Sequence, residues 1–418
     1  MRDQKPLVTK AYFSAFALVT SLFFMWAIAN NFNDILIKHF QKALDLSRMQ
    51  SGLVQTAFYF GYFTVALPAG WVMTRTGYKN GILIGLGLYA LGAFLFYPAA
   101  EIRQFGAFLL ALYVIAAGLA FLETAANPFI TVMGPPETAA QRLNLAQSFN
   151  GLGGFVAPFI GGALILSGIE HSAAELAAMS PDSLEAYRTF EAHSVQTPYL
   201  GLAAVVLTLA ALIFVVRFPV IKEDGPEASG QGVTSVWKFA HLRWAVVAQF
   251  FYVGAQVGVW SYFINYAQEV VGVGEKAAAT YLGVSLLGFM VGRFGGTALM
   301  RFVSPPKMLL IYGLINAGLC AFAAFGQGGA ALIALGLTSF FMSIMFPTIF
   351  ALGVSALGAK TKLGSSLIVM AIVGGAVFPP LIGLIADRAT IQLSMLVPLA
   401  SFLAVAAFGS YMQRRSQR

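Results

Sequence analysis

Charge is what this chain has least of. Asp, Glu, Lys and Arg together make up 10% of its 418 residues, against about 25% in a soluble domain. With 58% hydrophobic residues and a mean hydropathy of +0.77, that shortage excludes a water-soluble globule and predicts an integral membrane protein surrounded by lipid. Few polar residues are left over for a soluble domain. Cysteine is nearly missing as well. The single Cys320 lies in an apolar run, which excludes a disulfide framework and reads as a buried small hydrophobe. The four histidines, His39, His171, His193 and His241, all fall in loops or at the ends of apolar runs. No H-E-x-x-H, G-x-S-x-G or Walker loop occurs, so no enzyme and no bound metal or cofactor is expected. Basic residues are scattered one or two per loop, so the net charge of +8 reflects orientation in a membrane and not binding to nucleic acid. No cleavable signal peptide is expected, because the first apolar run is span-length and no small-residue cleavage site follows a short core.

What the chain does have is apolar stretches long enough to cross about 30 Å of hydrocarbon. They fall near 11–37, 50–73, 80–99, 105–133, 143–167, 197–217, 242–268, 278–300, 307–325, 328–355, 364–386 and 391–412. Lipid leaves no partner for a free backbone group, so these are helices; a barrel would show alternating segments of about ten residues. Twelve spans with both termini cytoplasmic put 17 of the 25 Lys and Arg inside and 7 outside, with Arg293 within the eighth span. Five acids, Glu170, Glu175, Asp182, Glu185 and Glu191, crowd the outer loop 168–196. The expected fold is all-α, with two six-helix bundles at 1–217 and 242–418 joined by a cytoplasmic linker at 218–241, where Asp-Gly-Pro and Ser-Gly-Gln-Gly occur. A repeat supports the division: Gly153-Gly154 through Pro158 and Gly162 in the fifth span resembles Gly374-Gly375 through Pro379 and Gly383 in the eleventh. Matched glycines and prolines in two halves point to repeated bundles with a path between them.

Two carboxylates interrupt these spans. Glu123 lies within Leu109–Met133 and Asp34 near the end of the first apolar run. A charged side chain at the centre of a spanning helix costs roughly 2.5–3.5 kcal/mol on insertion scales, which marks a proton, ion or polar-solute pathway. Helical spacing sorts the other polar residues onto faces. Asn30 and Asn31 neighbour Asp34, Asn127 follows Glu123 by four, and Asn144, Gln147 and Asn150 step by three. Gln249, Tyr252, Gln256 and Trp260 step by three and four along the seventh span. Any one amide can serve as glue between helices, worth about 0.6 kcal/mol; four stripes together read as a site. Amides supply donors and acceptors in pairs for sugar hydroxyls, Trp26 or Trp260 offers a ring face, and a carboxylate adds a charge-assisted acceptor. Central Lys or Arg is lacking apart from Arg293, which argues against anionic substrates; Arg293 itself reads as a snorkelling structural cation near its span's inner end. Two readings stay open for Asp34, a member of the site or a wet carboxylate at the outer boundary. Glu123 lies five residues before Pro128, whereas Met342 holds the matching place before Pro347, so proton-sensitive groups are expected in the N-terminal half alone.

Several segments carry a family resemblance: Trp26-Ala-Ile-Ala-Asn-Asn-Phe-Asn-Asp34-Ile-Leu, Gln55-Thr-Ala-Phe-Tyr-Phe-Gly-Tyr62, Leu122-Glu-Thr-Ala-Ala-Asn-Pro-Phe129, Arg142 through Asn150, Gln249 through Tyr262, and Phe346-Pro-Thr-Ile-Phe350. On these, and over almost its whole length, the chain resembles the major facilitator superfamily and, within it, the L-fucose:proton symporter family. The resemblance implies a monomeric carrier of the bacterial cytoplasmic (inner) membrane that alternates access between two bundles. It implies Asp34 and Glu123 as a proton-linked pair, and a sugar pocket at Trp26, Asn31, Gln147, Asn150, Gln256 and Trp260. Face-sharing extends the expected site to Asn127, Gln249 and Tyr252. Related branches carry glucose, galactose, mannose or N-acetylglucosamine, and some couple sodium. One departure concerns the superfamily loop G-x-x-x-D-R-x-G, which reads Gly70-Trp-Val-Met-Thr74-Arg75-Thr-Gly77; Thr74 replaces the acid, which puts the usual inner-gate ion pair in question. Beside proton-coupled sugar import stand sodium-coupled import, with Asp34 and nearby Asn oxygens as hard ligands, an exporter of drugs or metabolites, and a sugar sensor that moves nothing.

Overall fold

The computed structural model describes residues 6–44, 53–164, 173–216, 218 and 233–416. In chain order the helices are α1 (Phe13–Leu44), α2 (Leu53–Ile102), α3 (Phe105–Val132), α4 (Ala139–Leu164), α5 (Ala173–Ala178), α6 (Pro181–His193), α7 (Gln196–Val215) and α8 (Val233–Val236). They continue as α9 (Ala240–Val271), α10 (Glu275–Leu299), α11 (Pro305–Phe325), α12 (Gly328–Met342), α13 (Met345–Val354), α14 (Thr361–Met370), α15 (Gly374–Arg388) and α16 (Leu396–Ser416). No strand occurs among the described residues.

These helices make the twelve spans of two six-helix bundles. As one straight helix the 50 residues of α2 would extend about 75 Å, more than twice the hydrocarbon thickness. It is two spans joined at Gly77, whose φ of 82° only glycine adopts without strain. The α12–α13 pair forms the tenth span, and α14 with α15 forms the eleventh across a short 3-10 turn at Ala371–Val373. An even number of spans puts both chain ends on one side of the membrane, here called the terminal side. Two elements differ from the sequence expectation. The first helix runs to Leu44 and not to 37, and the acidic outer loop contains α6. There Ser180 caps the backbone N–H of Ser183 at 3.3 Å and Pro181 takes the first helical position. Arg103 ties α6 to the end of α2 by an ion pair with Glu185 and a 3.0 Å hydrogen bond to Thr189; the guanidinium holds the Glu185 carboxyl below the usual carboxylate range.

Prolines shape both matching spans. Proline has no N–H to donate four residues back, so Pro128 frees Thr124 O and Pro347 frees Ser343 O. Ser365 Oγ donates to the first at 3.1 Å and Arg293 Nε to the second at 2.7 Å. α3 stays continuous through its proline, while the tenth span breaks at residues 343–344. The glycine repeat proves equivalent in space as well: Gly153 packs on Phe24 O of α1, and Gly374 packs on Phe250 O of α9. Each half thus lays its fifth helix against its first at backbone contact, the close approach that small residues permit. Between α2 and α3 the same device recurs, where a Cβ on Gly118 would lie 2.6 Å from Gly85 O and from Tyr89 N.

Gly118→Val should therefore destabilise the protein by about 1–3 kcal/mol, the scale of an overpacked core, read as a lower melting temperature in detergent. Gly87→Ala, at a position with open space within 4 Å, should leave it near the parent value.

Candidate functional site

A cavity of about 470 Å³ lies between the two halves, displaced from the terminal side. Seven residues expected from the sequence line it: Trp26, Asn31, Glu123, Gln147 and Asn150 from the N-terminal half, and Gln256 and Trp260 from the C-terminal half. Asp34 sits on α1, but its side chain, like that of Asn30, lies outside the described residues.

Glu123 is 7% exposed. Its Oε1 accepts from Tyr62 OH at 3.2 Å, and its Oε2 has no hydrogen-bond partner among the described residues. The amides are oriented by backbone carbonyls: Asn31 Nδ2 donates to Ala27 O at 2.7 Å and Asn150 Nδ2 to Phe23 O at 3.1 Å. Trp260 is pinned at both edges, with Nε1 donating to Ser339 Oγ at 3.0 Å and its ring edge-on to Phe289 at 5.1 Å. Trp26 packs on Phe23 at 4.1 Å between ring centroids. The result is an amide surface beside a buried carboxyl, facing fixed aromatic rings, which can exchange hydrogen bonds with a polyhydroxylated solute.

Asn127, Gln249 and Tyr252 do not line the cavity. They share faces with residues that do, but sit nearer the terminal side, where the halves pack together. Asn127 Oδ1 accepts from Gln147 Nε2 at 2.9 Å, and Tyr252 OH donates to Met342 O at 3.1 Å. Gln249 is buried with neither amide atom paired among the described residues. Helical period sets the face of a residue; the depth at which the halves close decides whether that face is wet.

Arg293 also departs from expectation. It is 3% exposed and does not snorkel. Nε donates to Ser343 O at 2.7 Å, Nη1 reaches Gln147 O of the other half at 2.8 Å, and the guanidinium lies 4.5 Å over Phe289. Arg293 is a bridge across the cavity floor, made possible by the carbonyl that Pro347 releases. Gln55, Tyr59 and Tyr62 join the cavity wall too. Their spacing of four and three gave the signal, although only a partner 61 residues away, Glu123, reveals what Tyr62 does.

Below the floor the halves are shut. Gln141 Nε2 donates to Thr297 O at 3.1 Å, Asn144 Nδ2 to Thr348 Oγ1 at 3.0 Å, and Ser365 Oγ to Thr124 O. Gly70 meets Ser366 so closely that a Cβ would overlap it. In the loop lacking its acid, Thr74 Oγ1 returns to Trp71 O at 2.7 Å and Arg75 lies on the Trp71 ring at 3.8 Å. Closure beside that loop rests on Gly70 against Ser366 and on Lys362, whose ammonium lies 5.0 Å over the Tyr78 ring of the other half.

Residues 11–372 match the model of the Major Facilitator Superfamily. The L-fucose-proton symporter of Escherichia coli is 48% identical over 98% of this chain and 95% of that protein. A glucose/galactose transporter of Brucella abortus is 39% identical over 96% and 94%. Among solved structures, a Major Facilitator Superfamily transporter in the outward conformation superposes with a TM-score of 0.89 at 48% identity, covering 96% of this chain and 99% of that one.

The bridging role of Arg293 separates arginine from lysine, because one ammonium cannot reproduce a planar fork held by carbonyls of two halves. Arg293→Lys should lower stability by about 1.5–3 kcal/mol, the scale of hydrogen bonds from a charged group. Thermal unfolding in detergent reads it, and an unchanged melting temperature would return Arg293 to a snorkelling cation.

Proposed function

Because the chain belongs to the Major Facilitator Superfamily, we propose that it imports a neutral monosaccharide, L-fucose first, together with protons by alternating access. One observation carries the reading: a single cavity between the halves brings Glu123 with Tyr62, the amides Asn31, Gln147, Asn150 and Gln256, and the rings of Trp26 and Trp260 to one place. The two relatives reported above are both named as sugar transporters, one of them proton-coupled, which supports the class. The excess of basic residues on the terminal side makes that side cytoplasmic, in a bacterial inner membrane. The cavity then faces outward and the shut seam faces the cytoplasm.

In this reading the amides pair with sugar hydroxyls and Trp260 packs on the ring face. Glu123 takes a proton when the cavity is open to the outside and releases it when the other side opens. Tyr62 orients the carboxyl, and the unpaired Oε2 is the atom left for proton or sugar. Asp34 is assigned as the second coupling acid on the strength of its place in α1 and the matching family segment. Arg293 commits Nε and Nη1 to backbone carbonyls, so it seals the floor and does not select an anion.

Glu123→Gln should abolish sugar accumulation driven by a pH gradient in proteoliposomes, while sugar counterflow, which needs no net proton movement, should persist. Run with choline in place of sodium, the parent protein should accumulate sugar, and less of it as the outside pH rises. Uptake that appears only on adding sodium would reassign the coupling ion.

Trp260→Ala should weaken sugar binding by about 0.5–1.5 kcal/mol, the scale of a specific aromatic contact. Titration of tryptophan fluorescence with a panel of monosaccharides reads both the loss and the preferred sugar; unchanged affinity would place the ring outside the binding surface.

A further inference from the structure

The amide row on α4 does not stop at the cavity floor. Asn150 and Gln147 line the cavity, and at the same spacing of three follow Asn144 and Gln141, both inside the shut seam. From Gln141 to Asn150 the row climbs nine residue steps, about 14 Å of helix axis. Opposite them the seam is polar too. Asn144 meets Thr348 of the other half, Asn127 lies behind Gln147, and Thr124 O is available only because Pro128 released it.

This seam is expensively built for a permanent contact. Asn144 Oδ1, Asn127 Nδ2 and Thr124 Oγ1 are buried without a hydrogen-bond partner among the described residues, and each such atom costs about 1–3 kcal/mol. Apolar side chains would close two helical halves more cheaply, and an apolar constriction would also dewet when it parts. Neutral hydrogen bonds that water can replace are the chemistry of a wall that is wet in another conformation.

Resting on the alternating-access reading above, we propose that the α4 amides form a track for sugar hydroxyls past the floor. Asn144, facing Thr348, and Gln141, facing Thr297, with Asn127 and Thr124 beside them, line the cytoplasmic half of the route, and the Asn144–Thr348 bond latches it. Opening breaks that bond, hydrates both partners and the three unpaired atoms, and passes the solute from Gln147 to Asn144 by exchange of hydroxyl partners.

Cysteine accessibility tests this directly. Thr348→Cys, placed in a Cys320→Ala background, would be exposed to a membrane-impermeant thiol reagent in inside-out and in right-side-out vesicles, with sugar uptake measured on the same preparations. The inference requires labelling from the terminal side, several-fold above the cysteine-free background, and none from the opposite side. A cysteine unreactive from the terminal side, or reactive only from the other, overturns it. Labelling needs no particular sugar, so absent uptake of every sugar tried would sink the transport reading and leave the labelling result to decide the route. As a second readout, Asn144→Leu should lower the maximal uptake rate without raising the sugar concentration for half-saturation, and Asn144→Gln should recover part of the rate. A raised half-saturation with an unchanged maximal rate would move Asn144 into the binding surface and overturn its role as latch.

Discussion

Water is absent from the hydrocarbon, and everything polar in this protein is arranged around that absence. Backbone groups are satisfied within helices, which sets the architecture. Where Pro128 and Pro347 remove a donor, the freed carbonyl recruits a side chain from elsewhere: Ser365 for Thr124 O and Arg293 for Ser343 O. A rule about lipid thereby becomes a pair of tertiary contacts. One of them joins the two halves, and the other holds the guanidinium that does so through Gln147 O.

The same constraint gathers polar side chains at the interface between the halves, since that surface alone alternates between contact and water. Its upper part is open and forms the cavity. Its lower part is closed by neutral hydrogen bonds, by close contact at Gly70 and by Lys362 over the Tyr78 ring, with Arg293 at the boundary. The contacts named here part without separating a buried ion pair, whose unpaired members would each carry a large desolvation cost. Replacement of the superfamily loop acid by Thr74 fits a seal in which close packing, hydrogen bonds and a lysine over a tyrosine ring meet beside that loop.

Symmetry supplies the frame and asymmetry the chemistry. Gly153 and Gly374 perform one packing task in two halves, against Phe24 O and Phe250 O. The matching positions before the two prolines have diverged. Glu123 keeps a carboxyl on an unbroken helix, whereas Met342 ends α12 and offers its carbonyl to Tyr252. One half therefore holds the carboxyl, and the other a broken helix that positions aromatic and cationic groups beneath the cavity.

Span number, the glycine repeat, Glu123 and the faces carrying Asn31, Gln147, Asn150, Gln256 and Trp260 were legible in the sequence. Hydropathy and helical period are local properties, and lipid enforces them strongly. The sequence could not say how deep the halves close, so Gln249, Tyr252 and Asn127 were placed in the cavity when they lie below it. Nor could it show that Arg293 bridges the halves or that Tyr62 meets Glu123. Those facts depend on residues distant in sequence arriving at one depth. Depth is set by where two bundles touch, a property of neither bundle's own periodicity, so the tertiary structure alone decided it.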